Sequence, residues 1–114
     1  NHNLYGVKVD LNGNEVWEVN YGGDKHDGGQ ALLINSEGNY VFVGRTMSFG
    51  SGMRDAMIVV TKPNGLEIST DFLGGTLNDQ IDDLIEYNSY YYLVGNSNST
   101  GNGKKDVYLV KKHI

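Results

Sequence analysis

The sequence predicts an all-β chain of tandem, four-stranded antiparallel units, with about two units' worth in its 114 residues. Three observations carry that prediction. One pattern recurs: "NLYGVKVD" from Asn3, "DAMIVVTK" from Asp55 and "DVYLVKKH" from Asp106 align at spacings of 52 and 51 residues. The composition suits short strands joined by tight turns, with 16 Gly, 8 Tyr and a single Pro. No segment carries a long helical period. The most helix-like stretch, Asn78–Tyr87, aligns with "DKHDGGQALLIN" and reads as loop then strand.

The match continues between the anchors. "NGNEVWEVNYGG" (Asn12–Gly23) lies over "NGLEISTDFLGG" (Asn64–Gly75), "YVFVG" (Tyr40–Gly44) over "YYLVG" (Tyr91–Gly95), and "SFGSGMRD" (Ser48–Asp55) over "STGNGKKD" (Ser99–Asp106). The one-residue difference sits near "SEGNY" against "NSYY", where a turn can absorb it. Repeats of this length made of short strands indicate β-propeller blades of four strands each. Residues 1–114 are read as a single propeller segment: one repeat over about 3–54, a second over about 55–105, and a partial third over 106–114.

The elements follow in order. The chain opens with a third-type strand (Leu4–Val9) and a fourth (Glu15–Tyr21). A whole unit comes next. "GQALLIN" (Gly29–Asn35) is mostly apolar, as suits an inner strand, and "YVFVGRT" (Tyr40–Thr46) pairs with it across "SEGN". After the Gly-rich loop, "AMIVVTK" (Ala56–Lys62) is the third strand. The turn "KPNG" favours a tight hairpin, and "LEISTDF" (Leu66–Phe72) alternates as a half-exposed outer strand should. The next unit ends on its third strand (Val107–Lys111). Its fourth strand is expected from elsewhere, either the remainder of a longer propeller or another chain.

Bulk properties narrow the function. A formal net charge of −5 argues against nucleic acid or an anionic membrane surface as main partner, because both reward Lys and Arg. The absence of cysteine excludes disulfides and thiolate metal sites. No apolar run approaches the roughly 20 residues of a membrane helix. The sequence has no signal peptide and does not begin with Met, so a mature product, an excised fragment or an incompletely known chain is expected.

The motifs "DVYLVK" (Asp106–Lys111), "LNGNEVW" (Leu11–Trp17), "YGG" (Tyr21–Gly23) and "YVFVGRTMSFGSG" (Tyr40–Gly52) together resemble a propeller-repeat family of bacterial and archaeal secreted proteins. The resemblance covers essentially the whole chain and is specific for fold rather than activity. It implies a non-catalytic extracellular or cell-surface propeller. Two departures stand out: Ser69 takes the place of the Trp in the second repeat, and "KPNG" replaces the acidic turn.

Candidate chemistry is sparse. Asp10, Asn12 and Asn14 have the alternating oxygen spacing that opens a calcium loop, but no bidentate carboxylate follows at the right distance. A hairpin turn is the competing reading, so no cofactor is expected and calcium is the alternative. Asp27 and Asp79 share one repeat position in the loop before the inner strand. There they would bind a cation or sugar hydroxyls, or else cap backbone amides. Asp55 and Asp106, with Asn3 in the third copy, read as side chains holding the Gly-rich loop. Trp17 and Tyr91, among Tyr90–Tyr92, would stack on sugars or pack between blades. His2, His26 and His113 share no metal-ligand spacing. Asn98–Thr100 is a lone glycosylation triplet. No nucleophile elbow, phosphate loop or zinc-protease motif is present.

The sequence therefore predicts a binding or scaffolding module that presents loops to a protein or glycan partner. The alternative is a structural subunit that assembles into rings or filaments by strand complementation. An enzyme would have to build its site without a local motif.

Overall fold

A computed structural model describes residues 2–50, 53–99 and 104–113. Among these residues the chain is all-β, with antiparallel sheets and no helix, so no helix is long and apolar enough to cross a membrane. The strands are β1 (Leu4–Val9), β2 (Glu15–Tyr21), β3 (Asp27–Ile34), β4 (Tyr40–Thr46), β5 (Asp55–Thr61), β6 (Glu67–Leu73), β7 (Asp79–Tyr87), β8 (Tyr90–Ser97) and β9 (Asp106–His113). They form three sheets in chain order: β1-β2, then β3-β4-β5-β6, then β7-β8-β9. Most boundaries fall within two residues of the sequence reading. The span 78–87, expected as loop then strand, is strand from Asp79 onward. Parts of both Gly-rich loops, with Thr100 of the glycosylation triplet, lie outside the described residues.

The sheets stack face to face, and the middle one is covered on both faces. Val41 and Val43 of β4, with Ala56 and Ile58 of β5, pack against Ile81, Leu84, Tyr91 and Leu93 of the third sheet. From the opposite face, Phe42, Met57 and Val59 pack against Leu4 of β1. Covering both faces explains why "YVFV" and "AMIVV" are nearly continuous apolar runs. β9 contacts a neighbour on one face only, and its residues alternate between half-buried and exposed.

The inner-strand reading of Gly29–Asn35 holds for one face only. Ala31 and Leu33 pack on the core, while Leu32 and Ile34 are 56% and 59% exposed. They stand beside Phe42 and Tyr40 in the ladder, but the two-stranded first sheet does not reach over them.

Hairpin chemistry explains the Asn-Gly and Glu-Gly punctuation. In the turns starting at Asp10, Asn35 and Lys62, the first residue's amide donates to the carbonyl four residues on. The glycine three residues on returns an amide to the first carbonyl. Gly13, Gly38 and Gly65 take φ of 83°, 82° and 87° there, a left-handed conformation that favours glycine. These are longer loops than the two-residue turn that Asn-Gly suggests. Between β7 and β8 the turn is instead two residues, Asn88 and Ser89, with φ of 49° and 66° and Tyr87 facing Tyr90. That shorter turn accommodates the one-residue difference between the repeats.

The repeated Val-Gly has a steric cause. β3 is bulged between Gly29 and Ala31, and β7 between Ile81 and Asp83. Each bulge pushes a carbonyl, of Gly28 or Gln80, into the space a Cβ on Gly44 or Gly95 would occupy. The collision is with backbone, which has no rotamer to yield. Gly95→Ala is expected to cost about 3 kcal/mol or more in denaturant unfolding. Gly38→Ala, where a Cβ meets nothing within 4 Å, should cost only about 1–2 kcal/mol from its left-handed φ. Equal costs at the two positions would refute the steric account.

Candidate functional site

The most elaborate polar arrangement occurs twice, in the loops before β3 and β7. Asp27 is 4% exposed and Asp79 1% exposed. Asp27 accepts from the Thr46 hydroxyl, from Ser48 Oγ at 2.7 Å and from the Gly23 amide at 3.0 Å. Asp79 accepts from the Ser97 hydroxyl, from Ser99 Oγ at 2.7 Å and from the Gly75 amide at 2.9 Å. The serines pass the network on: Ser48 Oγ accepts the Lys25 amide and Ser99 Oγ the Leu77 amide, each at 3.0 Å. Each carboxylate thus ties its Gly-Gly loop to the end of the neighbouring strand.

The Gly-Gly pairs fit because side chains close over them. A Cβ on Gly22 would lie 2.6 Å from Asn3 Oδ1 and 2.7 Å from Asp27 Oδ2. One on Gly74 would collide with the carboxylates of Asp55 and Asp79. Asn3 and Asp55 therefore occupy equivalent places, each beside the next sheet's latch. Thr46 and Ser97 were not singled out from sequence. Their signal was present as a hydroxyl two residues before each serine, at Thr46-Met47-Ser48 and Ser97-Asn98-Ser99.

Burial pushes the Asp27 carboxyl upward, but hydrogen bonds from Thr46, the Gly23 amide and Ser48 outweigh it, and its pKa falls below the ordinary 3.8. Each carboxylate is engaged by its own loop and by the end of the neighbouring strand.

Asp10, Asn12 and Asn14 do converge, around Asp10 itself. Asp10 Oδ1 accepts the Asn12 and Asn14 amides at 2.8 and 2.9 Å, and Asn14 turns its amide nitrogen toward Oδ2 at 3.4 Å. These contacts, the Asn14 amide foremost, hold the exposed Asp10 carboxyl below its ordinary value. Both Asp10 carboxylate oxygens face amide donors, as in an Asx turn. No group of three or more His, Cys, Asp or Glu among the described residues is placed to hold a metal.

The two aromatic candidates both lie between sheets. Trp17 of β2 packs edge-on against Tyr40, with centroids 5.7 Å apart, and Nε1 donates to the Pro63 carbonyl at 3.0 Å. Tyr91 is 3% exposed and belongs to the core. Its hydroxyl accepts from Asn35 Nδ2 at 2.9 Å, and burial, foremost, raises its pKa. Its ring offers no open face for stacking.

His2 and His26, far apart in sequence, face each other at the loop end with Nδ1 atoms 3.1 Å apart. His113 lies elsewhere, edge-on to Tyr90. At the loop end of the third sheet, Arg54, Asn78, Gln80, Asn96, Asn98 and Lys105 surround a polar recess of about 100 Å³. Fold and site together define an all-β chain of antiparallel sheets with polar loop latches. Compared with known families and curated proteins, the sequence gives no match.

Two outcomes follow from this geometry. Because the folded Asp27 value lies below 3.8, its stabilisation is complete above that value and is lost as pH falls through the folded one. Asp27→Asn should therefore flatten the acid limb of a urea-midpoint profile measured from about pH 6 to about pH 2.5. Calcium or a chelator at about 1 mM should leave the melting midpoint unchanged; a rise with calcium would place an ion on the Asp10 turn.

Proposed function

We propose that the chain is a non-catalytic binding and scaffolding segment of an extracellular β-propeller. Each sheet is a blade or part of one, and the loop end is presented to a protein or glycan partner. The carrying observation is that both end faces of the stack repeat faces that are buried inside it. Val43, Ala56 and Ile58 of the middle sheet pack on the third sheet. Their repeat equivalents Val94, Val107 and Leu109 stand 41%, 80% and 69% exposed on the far side of the third sheet. Met57 and Val59 pack toward the first sheet. Their equivalents Tyr5 and Val7 are 54% and 49% exposed on the far side of that sheet. Sequence that encodes a covered face at every unit supports stacking on a further sheet at each end.

The loop-end reading rests on the polar recess beside Asp79, whose amide and basic groups suit sugar hydroxyls or a peptide backbone. The extracellular setting rests on the resemblance to secreted propeller repeats.

A second reading, self-assembly between copies, is favoured by a groove of about 480 Å³ running along the free edge of β1 between Leu4–Val7 and Gly29–Leu32. A strand laid there would pair with β1 and cover Leu32. Head-to-tail association would join unlike faces, one end of the stack to the other. The test is sedimentation of the 12.6 kDa chain across concentration. Leu109→Asp and Val7→Asp should each stop self-association, while mixing the two variants restores a heterodimer through the two intact faces. A monodisperse monomer at high concentration would contradict self-association and leave the longer-propeller reading.

A further inference from the structure

The two interfaces of the stack are built from the same repeat positions, yet one is filled and the other is not. In the first, Trp17 lies across from Lys8 in the β1–β2 ladder. Its ring meets Tyr40 and covers Gly65, where a Cβ would lie 3.0 Å from Trp17 Cδ2. In the second, the equivalent of Trp17 is Ser69, across from Val60, and the equivalent of Tyr40 is Tyr91. Both ladders carry the same irregularity next to this position, between Lys8 and Val9 and between Val60 and Thr61. The side chain differs, however, and the Pro63–Gly65 turn that Trp17 meets in the first interface has no counterpart among the described residues of the second.

A cavity of about 280 Å³ opens where the second ring would lie. Ile58, Val60, Ser69, Asp71, Tyr91 and Lys112 line it, among others. Its floor is aliphatic. At its mouth, Lys112 and Asp71 form an ion pair at 3.4 Å. For scale, an apolar cavity of about 150 Å³ accepts benzene in a well-packed protein, and small-molecule sites begin near 300 Å³. Serine fills too little of this space to close it, and its hydroxyl joins the polar groups of Asn35, Glu37, Asn39 and His113, which line the cavity beside the aliphatic floor.

We propose that this cleft is a binding site for a planar aromatic ring of indole size, taking the position that Trp17 takes in the first interface. The ring would lie between Val60 and the edge of Tyr91, sliding in past the Lys112–Asp71 pair. Such a ligand would come as a free aromatic molecule or as an aromatic side chain of a partner protein. The site is an open cleft between the middle and third sheets, with Ser69 exposed at its rim, so it stands whether or not the end faces find partners.

The test is a titration of the intact chain with indole, followed by amide chemical shifts. Saturable shifts are expected around Ser69, Tyr91 and Lys112, with Kd of about 1 mM or tighter, the range a ligand of this size can reach. Ser69→Ala should keep that binding. Ser69→Trp should abolish it and raise the melting midpoint by about 4 °C or more, as the indole fills the cleft. Should Ser69→Trp fail to fold, Val60→Trp gives a second block of the same wall. N-acetyltryptophanamide binding more tightly than indole would assign the ring to a partner chain, and weaker binding to a free aromatic. No saturable shift up to about 10 mM, or unchanged binding to a folded Ser69→Trp chain, overturns the proposal.

Discussion

The structure depends on the burial of sheet faces against one another. A two-stranded sheet is at best marginally stable alone, and the three-stranded sheet buries Ile81, Leu84, Tyr91 and Leu93 only by packing on its neighbour. Here they are anchored on either side of a four-stranded sheet whose central strands are covered on both faces. Val41, Val43 and Ile58 point one way, Phe42, Met57 and Val59 the other, and all are 8% exposed or less. At roughly 25 cal/mol per Å² of apolar surface, burying such a side chain contributes about 1.5–3 kcal/mol. No individual hydrogen bond in the turns approaches the sum of those contributions. The bulges, hairpins and loop latches serve this stacking by fixing which residue of each strand faces which neighbour.

The latches do so at one end. With Asp27 and Asp79 bound to hydroxyls of the adjacent strand and amides of the Gly-Gly loop, the start of each first strand is set against its partner. The chain just before β1 and β5 is tied in as well: the Asp27 amide donates to the His2 carbonyl and the Asp79 amide to the Arg54 carbonyl, each at 2.6 Å. These short parallel bridges connect one sheet to the next through backbone. Removing a carboxylate would therefore loosen a sheet-to-sheet joint as well as a loop.

Much of this was legible in the sequence, because a repeat supplies its own controls. Strand order and most boundaries follow from aligning the copies, and the Trp17-to-Ser69 exchange is visible before any coordinates. What was not legible has physical reasons. Tyr90, Tyr91 and Tyr92 must alternate faces, but nothing local says which face the middle sheet will cover, so the burial of Tyr91 could not be read. "GQALLIN" is apolar on both faces, yet one face of β3 is left open, since coverage depends on a neighbour's width and not on the strand's own residues. The oxygen-rich Asp10 turn looks alike for calcium and for backbone amides until the amides are placed. The partners of Asp27 and Asp79 come from the far end of the next strand, some twenty residues on, beyond any local motif. His2 and His26 meet only because the sheets stack.

The central claim is that the middle sheet is the stability core and the flanking sheets depend on it. Native-state hydrogen exchange tests it most directly. Amides of β4 and β5 should exchange slowest, through global unfolding alone, with those of β1, β2 and β9 opening at lower free energy. Protection in β8–β9 equal to or greater than that in β4–β5 would contradict the account, because the third sheet would then hold together without the stack.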